Sequence, residues 1–291
     1  MNWLTGWKKK IGIKVQKLFK KQSSEHEATD WKNCPQCKKI SYKPELFNNS
    51  YICECSFHFD LPPKLRLDSL FDSEYEFIEA PDNIDPDPLN FEVKDGARDE
   101  YKYSDKIKKY RKNTGQKTAL LCASGKISNL NAVVVCFNPK FGAGRFGPAE
   151  NEHFLKATNY AIEKKVDIWV VIYQSSGIDV HTGVTGLYGM SKSIIAMNEI
   201  KKAKIPTFAV AARATAGGTY ASSFFMHDFI IIESKCVENL LFSGKRVTAN
   251  ILKGTDQIPD DFGRADGVMK SGLADITLES RKELKDTVTK L

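Results

Sequence analysis

The stretch VDIWVVIYQSSGIDVHTGVTGLYGMSKSIIAMNEIKKAKIPTFAVAARATAGGTYASSFFMHDFIIIE spans residues 166–233. It contains two continuous apolar runs, at 166–173 and 206–212, each the length of a buried strand. Each run ends in a turn of small residues, QSSGIDVHTG or RATAGG, and a helical pattern follows. Parallel strands need a crossover connection, and the segment between Gly177 and Gly218 can supply a helix and a strand for it. The sequence therefore predicts an α/β fold with both turns at one edge of a parallel sheet.

These two turns are candidates for stabilising negative charge on a ligand oxygen. Ser176 and Gly177 in the first turn, and Gly217 and Gly218 in the second, carry small side chains that let backbone amides approach a substrate closely. A helix N-terminus adds unpaired amide donors and a partial positive charge. A tight strand-to-helix turn requires the same glycines for purely structural reasons. The spacing alone favours neither interpretation.

The positive charge of the chain is concentrated at its start. The formal net charge is +7, while residues 1–21 contain seven lysines and no acidic residue, so the remainder is formally neutral. Nucleic acid is therefore expected to be at most a secondary partner. Apolar residues recur at helical spacing in the same segment. This pattern fits either a helix on an anionic membrane or, as we favour, an arm that docks on protein.

The composition is typical of a globular protein of the cytoplasm. Of 291 residues, 42% are hydrophobic and 27% are charged. No apolar run reaches the roughly 20 residues that cross a bilayer, and the N-terminus lacks the apolar core of a signal peptide. In this compartment we expect the cysteines to be metal ligands or core thiols rather than disulfides. Cys122 and Cys136 fall in predicted strands and are expected to be core thiols.

A cysteine cluster near the start predicts a zinc ribbon over residues 31–60. The predicted ligands are Cys34, Cys37, Cys53 and Cys55. The first pair forms a C-P-x-C knuckle, whose turn brings two thiolates to one tetrahedral ion. The second pair is separated by one residue instead of two, and His58 is a possible substitute ligand in place of Cys53. A ribbon with degraded metal affinity is the alternative.

The sequence divides into four segments: a basic amphipathic arm and linker at 1–30, the ribbon at 31–60, a linker at 61–103, and an α/β domain at 104–291. The linker assignment rests on the proline and acidic residues of the third segment.

Sequence patterns at the start of the α/β domain indicate several helices and strands. They predict a helix at 104–112, strands at 118–127 and 131–137, a glycine-rich loop at 141–147, and a helix from Pro148.

Two polar residues of the first turn, Asp179 and His181, could perform acid–base chemistry. Polar residues in a loop are more commonly solvated or capping. Other catalytic templates are missing, since neither a G-x-S-x-G elbow nor an H-E-x-x-H motif occurs.

Several motifs occur in a characteristic order: MNW and a basic arm, the C-P-x-C ribbon, DPLNF, YSDKIKKYRKNTGQK, TAGGTYAS (215–222), FSGKRV (242–247) and FGRADGVMKSGLADI (262–276). In this order the chain resembles the beta subunit of bacterial acetyl-CoA carboxylase carboxyltransferase, over essentially its whole length. The resemblance implies a crotonase-like spiral of ββα units with an N-terminal zinc ribbon that holds one structural Zn²⁺.

The resemblance also implies a reaction and its partners. A carboxyl group would pass from carboxybiotin on a biotin carboxyl carrier protein to acetyl-CoA, giving malonyl-CoA for fatty acid or related biosynthesis. Two alpha and two beta subunits would assemble, with the active site between them. The biotin ureido nitrogen can take the methyl proton, so a side-chain base is not obligatory. Backbone N–H groups of Gly177, Gly217 and Gly218 would stabilise the enolate oxygen.

Beside these amides, seven further residues are expected to contact CoA or the acyl group, although several of them depart from the family's usual pattern. They are Ser176, Gly142, Gly144, Arg145, Arg213, Lys245 and Arg246. The chain departs from the family's usual pattern at the site, where an arginine is replaced by Asp179. An arginine at 145 or 213 could preserve the local charge balance.

Because of these departures, two other hypotheses stay open. The chain could be a specialised or non-catalytic paralogue, acting as a scaffold, an inhibitor-resistant copy or a zinc-ribbon nucleic-acid binder. It could also be an acyl-CoA hydratase or decarboxylase of the same fold, although the turns show no evident pair of acidic residues for that chemistry.

Overall fold

The computed structural model describes residues 30–94, 100–233, 240–254 and 257–291. The basic arm lies outside these described residues, so its docking or membrane contact stays a prediction. Cys236 lies outside them as well. Within these ranges, no helix combines the length and the apolar character that crossing a bilayer requires.

The strands follow the chain in this order: β1 (Trp31–Asn33), β2 (Ile40–Tyr42), β3 (Glu76–Ile78), β4 (Glu92–Val93), β5 (Tyr101–Lys102), β6 (Leu120–Ile127), β7 (Leu130–Phe137), β8 (Arg145–Phe146), β9 (Ile168–Ser175), β10 (Gly177–Ile178), β11 (Thr207–Ala216), β12 (Phe229–Glu233), β13 (Leu240–Leu241) and β14 (Ile276–Leu278). The helices are α1 (Lys43–Asn48), α2 (Pro63–Leu70), α3 (Tyr103–Thr114), α4 (Pro148–Lys164), α5 (Gly183–Lys202), α6 (Gly217–Tyr220), α7 (Lys245–Ile251), α8 (Ala265–Lys270) and α9 (Leu284–Lys290). Short 3-10 helices occur at Val180–Thr182, Ser223–Met226 and Arg281–Glu283.

An eight-stranded sheet forms the centre of the α/β domain. Its order is β14-β12-β11-β9-β7-β6-β3, and β13 pairs with the end of β11. The pairs from β7 to β14 are parallel, whereas β6 is antiparallel to β7 and β3 to β6. The two strands predicted on either side of the first crossover are the neighbours β9 and β11, which run parallel. Their carboxyl ends therefore meet at one edge, as the sequence predicts.

Both faces of this sheet are buried, which explains why its strands are continuous apolar runs. Side chains alternate along β7, so that Val133, Val135 and Phe137 join one apolar cluster while Ala132, Val134 and Cys136 join the other. Cys122 and Cys136 are fully buried, which confirms that they are core thiols.

Part of the segment predicted to be a linker, 61–103, differs from that prediction. Helix α2 buries Leu67 and Leu70 in the core beneath the sheet. Strand β3 pairs antiparallel with β6 and so extends the central sheet. Acidic residues lie between these apolar residues and prolines flank the stretch, which masks its periodicity in the sequence.

The second strand-to-helix turn also differs in detail from the prediction. Strand β11 continues through the RATA segment to Ala216, because Thr215 and Ala216 pair with β13. The helix that follows, α6, has only four residues. In the first turn, β10 and a 3-10 helix precede the long helix α5. The first turn therefore passes through a short strand and a 3-10 helix before α5, and the second leads into a helix of only four residues, so neither opens directly into a long helix.

Candidate functional site

The two glycine turns lie against each other. A Cβ atom on Gly177 would fall 2.8 Å from the carbonyl oxygen of Ala216 and 3.3 Å from the amide nitrogen of Gly218. The φ angle of Gly177 is +105°, a conformation that other residues rarely adopt. Any side chain at this position would push the two turns apart.

The three predicted amide donors have different surroundings. The N–H of Gly177 donates to Ser175 Oγ at 3.1 Å, and the N–H of Gly217 donates to the carbonyl of Phe242 at 3.1 Å. For the N–H of Gly218, no acceptor is found among the described residues, and this glycine is partly exposed. The family resemblance implies donors at all three glycines, whereas among the described residues the amides of Gly177 and Gly217 have acceptors and the amide of Gly218 has none.

The side chain of Ile178 lies between the turns. A Cβ atom on Gly218 would fall 2.3 Å from Ile178 Cγ1 and 3.0 Å from Met190 Sδ. The place of the Gly218 amide is thus set by contact with the first turn and with helix α5.

The glycine-rich loop at 141–147 packs beside the first turn. Gly144 has a φ angle of +68°, and a Cβ atom there would fall 1.9 Å from the carbonyl oxygen of Gln174. The N–H of Ser176 donates to the carbonyl of Ala143 at 2.9 Å. The loop therefore needs glycine for close approach to the end of β9, and it supports the first turn from behind.

Arg145 differs from its predicted contact with an acyl-CoA. Its side chain is only 5% exposed, and its Nη1 donates to Asp179 Oδ2 at 2.6 Å while its Nη2 donates to Glu150 Oε2 at 3.0 Å. Glu150 also accepts from the backbone N–H groups of Gly147 and Ala119. The guanidinium is thus bound within the protein. Sequence reasoning missed Glu150, since only its place in the first turn of α4 hinted at a structural role.

Asp179 is buried and is the centre of a polar network. Its Oδ1 accepts from the Nδ1 of His181 at 2.7 Å and from the His181 backbone N–H at 3.1 Å, and its Oδ2 accepts from the hydroxyl of Tyr103. The imidazole of His181 stacks on the Tyr103 ring with centroids 4.0 Å apart. Its Nε2 lies 3.1 Å from the hydroxyl of Tyr101. Asp179 is therefore a capping and pairing residue, not a solvated one.

The remaining residues predicted to contact CoA are placed as follows. Arg213, at the end of β11, is partly exposed and pairs with Asp60 of the ribbon segment. Gly142 lies in the glycine-rich loop with a φ angle of +55°. Lys245 and Arg246 begin α7, but their side chains lie outside the described residues.

The four predicted metal ligands come together in the ribbon. Their Sγ atoms lie within 4.8 Å of one another, and the pairs Cys34–Cys55 and Cys37–Cys53 are each 3.7 Å apart. Four convergent thiols could hold a metal ion. His58 does not belong to this group among the described residues; it is buried and forms a backbone bridge with Ile52.

The environment of Cys34 favours a thiolate. Burial opposes the charged form, but backbone N–H groups of Cys37 and Gln36 outweigh it and lower the pKa of Cys34 to about 7. A thiolate is the form of cysteine that binds metal.

Solved structures identify the fold class. The chain is similar to transcarboxylase 12S with hydrolysed methylmalonyl-coenzyme A bound, with a TM-score of 0.62 and 17% identity over 79% of this chain and 40% of that one. It is also similar to a Pseudomonas malonate decarboxylase MdcD-MdcE hetero-dimer, with a TM-score of 0.56 and 16% identity over 78% of this chain and 84% of that one. The chain thus has the crotonase-like fold predicted from its sequence.

Sequence relatives identify the family. Residues 97–291 match the carboxyl transferase domain. The acetyl-coenzyme A carboxylase carboxyl transferase subunit beta of Hirschia baltica is 31% identical over 97% of this chain and 76% of its own length. The subunit of the same name from Sulfurihydrogenibium sp. is 31% identical over 96% of this chain and 97% of its own length. The chain belongs to the carboxyl transferase family, as a divergent relative of these beta subunits.

Proposed function

We propose that this chain is a beta-type carboxyltransferase subunit that transfers a carboxyl group from carboxybiotin to acetyl-CoA, giving malonyl-CoA. The observation that supports this most strongly is the contact between the two glycine turns, with the amide of Gly218 left without an acceptor among the described residues. The family relationship supports the same substrates, since the curated relatives carry the name acetyl-coenzyme A carboxylase carboxyl transferase subunit beta.

The reaction needs one oxygen to be stabilised as negative charge develops. The carboxyl group leaves biotin as carbon dioxide, the acetyl methyl group gives a proton to the ureido nitrogen, and the enolate carbon then bonds to carbon dioxide. The N–H of Gly218 donates to the thioester oxygen as it becomes an enolate oxygen. A preorganised donor of this kind lowers the barrier by about 3 kcal/mol.

The other two glycines serve the same site in a different way. Because the amides of Gly177 and Gly217 have acceptors within the protein, we assign these residues to close approach of the two turns. The lack of side chains at both positions lets the two turns contact each other, which fixes where the Gly218 amide lies.

Contacts with CoA are assigned to residues around this edge of the sheet. We propose that Arg213 and the side chains of Lys245 and Arg246 bind the negatively charged part of the cofactor. The backbone of Ser176 borders the acyl group, and the loop containing Gly142 and Gly144 holds that backbone in place through the bond from the Ser176 N–H to the Ala143 carbonyl.

The ribbon is proposed to hold one zinc ion. Tetrahedral zinc with sulfur bonds of roughly 2.3 Å separates its ligands by roughly 3.8 Å. The 3.7 Å sulfur separations of the pairs Cys34–Cys55 and Cys37–Cys53 fit this geometry. Zinc would stabilise the fold of the ribbon and take no part in the reaction.

The proposed enzyme works with partners in the cytoplasm. A carboxyltransferase alpha subunit would complete the site, with two alpha and two beta subunits in the assembly, and a biotin carboxyl carrier protein would deliver the carboxyl group. Purified chain and alpha subunit, mixed with carboxybiotin and acetyl-CoA, should form malonyl-CoA. If the assembled pair forms none from any short acyl-CoA, the proposed function is wrong. Strong, salt-dependent RNA binding by an inactive pair would favour the nucleic-acid alternative.

A further inference from the structure

Behind the first glycine turn lies a buried ion pair, Arg145–Asp179. The two side chains are 5% and 3% exposed, and Arg145 Nη1 lies 2.6 Å from Asp179 Oδ2. Asp179 is only two positions after Gly177. The pair therefore holds the segment that leaves the glycine turn.

The backbone of Arg145 also holds this turn, in addition to the side chain. Strands β8 and β10 pair in parallel, with Gly177 opposite Arg145 and Ile178 opposite Phe146. The N–H of Asp179 donates to the carbonyl of Phe146 at 3.2 Å. One residue of the glycine-rich loop thus fixes the turn through both its main chain and its side chain.

This fixed segment contacts the second turn through Ile178. Its Cγ1 occupies the space beside Gly218, since a Cβ atom there would fall only 2.3 Å away. A shift of the 177–179 backbone would therefore move Ile178 against the Gly218 amide. The ion pair is therefore connected to the Gly218 amide through the 177–179 backbone and the side chain of Ile178.

Further partners hold Asp179 and Arg145 in one orientation. Asp179 Oδ1 accepts from both the backbone N–H and Nδ1 of His181. The hydroxyl of Tyr103 donates to Oδ2. On the other side, Arg145 Nη2 binds Glu150, which is fully buried. Charge-assisted bonds with these fixed geometries orient the groups more strictly than one isolated pair would.

We propose that Arg145 and Asp179 are positioning residues for the carboxyl transfer, acting through Ile178 on the amide of Gly218. This inference rests on the proposed function. The pair does not touch the substrate; it sets where the donor points when the enolate forms. A misplacement of about 1 Å at such a donor costs on the order of 100-fold in rate.

The test compares two carboxylate-to-amide changes in the complex with the alpha subunit. Asp179→Asn keeps the size of the side chain and removes its charge. The matched control is Glu233→Gln, which removes an equally buried carboxylate from its arginine partner Arg66. We expect Asp179→Asn to lower kcat about 100-fold with the KM for acetyl-CoA within about twofold. Glu233→Gln should leave kcat per folded molecule unchanged.

Amide hydrogen exchange supplies a readout that does not depend on turnover. Asp179→Asn should increase deuterium uptake selectively in peptides covering 175–182 and 216–220, whereas any increase in Glu233→Gln should be spread over the chain and not concentrated in these two segments. Unchanged exchange in both segments, or equal kcat losses in the two variants, would overturn the proposal. If wild-type complex forms no malonyl-CoA, the proposed function fails, and the exchange data still decide whether the pair holds the turns. If Asp179→Asn does not fold, Arg145→Lys replaces it in the same comparison.

Discussion

Glu233 and Arg66 form a bidentate ion pair, although they are 167 positions apart in the sequence. Both carboxylate oxygens accept from the terminal nitrogens of Arg66, with Nη2 and Oε2 3.1 Å apart, and both side chains are buried. Arg281 lies beside them, 3.7 Å from Glu233, and donates to the carbonyl of Phe59 at 2.8 Å. The end of β12, helix α2 and the ribbon segment are thereby joined by one buried network.

Removing the negative charge of Glu233 should strongly destabilise the protein. The arginines and His58 hold the pKa of Glu233 below its usual range against the opposing effect of burial, so the carboxylate is charged in the folded state. Glu233→Gln removes the buried carboxylate that pairs with Arg66 and Arg281, which we expect to cost about 3–5 kcal/mol in the free energy of unfolding. Urea unfolding measures this loss. Glu199→Gln, in an exposed pair with Lys202, is the control and should change stability little. A loss below about 1 kcal/mol for Glu233→Gln would contradict the prediction.

Stability should fall in mild acid because of His227. Burial lowers the pKa of this imidazole to about 3, and its Nε2 lies 3.0 Å from the hydroxyl of Tyr173. The unfolded chain binds the proton near pH 6.5, so the histidine makes no difference above that pH and destabilises the fold progressively below it. Between about pH 8 and about pH 5 this loss amounts to about 2 kcal/mol.

Unfolding free energies across that pH range, for wild type and His227→Gln, provide the check. The variant should show a weaker decline toward acid than the wild type. Equal declines in the two proteins would mean that His227 is protonated in the folded state as well.

Metal content should depend on Cys53 and not on His58. Cys53 Sγ lies 3.7 Å from Cys37 Sγ inside the group of four thiols, whereas His58 is not part of that group. Cys53→Ser should therefore lose bound zinc and make the ribbon sensitive to proteolysis. His58→Gln should keep one zinc per chain, as measured by elemental analysis. Cys136→Ala, in the sheet core and outside the group of four thiols, controls for the loss of a thiol. Zinc retained in Cys53→Ser but lost in His58→Gln would reverse the ligand assignment.

The sequence predicts the centre of this fold well, for physical reasons. Strands β9 and β11 are continuous apolar runs because the sheet is covered on both faces. An apolar run of strand length that ends in a turn is easily recognised in a sequence. Helix α4 begins at Pro148 as expected, since proline at the first position leaves no amide unpaired. The contact of the glycine turns also follows from parallel neighbouring strands.

Other parts could not be predicted because they depend on distant partners. Strand β3 exists only through its pairing with β6, and the extension of β11 to Ala216 depends on β13. The role of Arg145 could not be predicted from the sequence for the same reason. An arginine in a glycine-rich loop is expected to bind an anion, and nothing local shows that Asp179 and Glu150 already occupy it.

The central claim is that the amide of Gly218 stabilises the enolate during carboxyl transfer. Gly218→Ala adds a methyl group that would fall 2.3 Å from Ile178 Cγ1, so it displaces the donor without a change of charge. The control is Gly254→Ala, where an added methyl group meets none of the described residues within 4 Å. With the alpha subunit present, malonyl-CoA formation by Gly218→Ala should fall about 100-fold or more, while Gly254→Ala matches the wild type. Wild-type turnover by a folded Gly218→Ala complex would contradict the account.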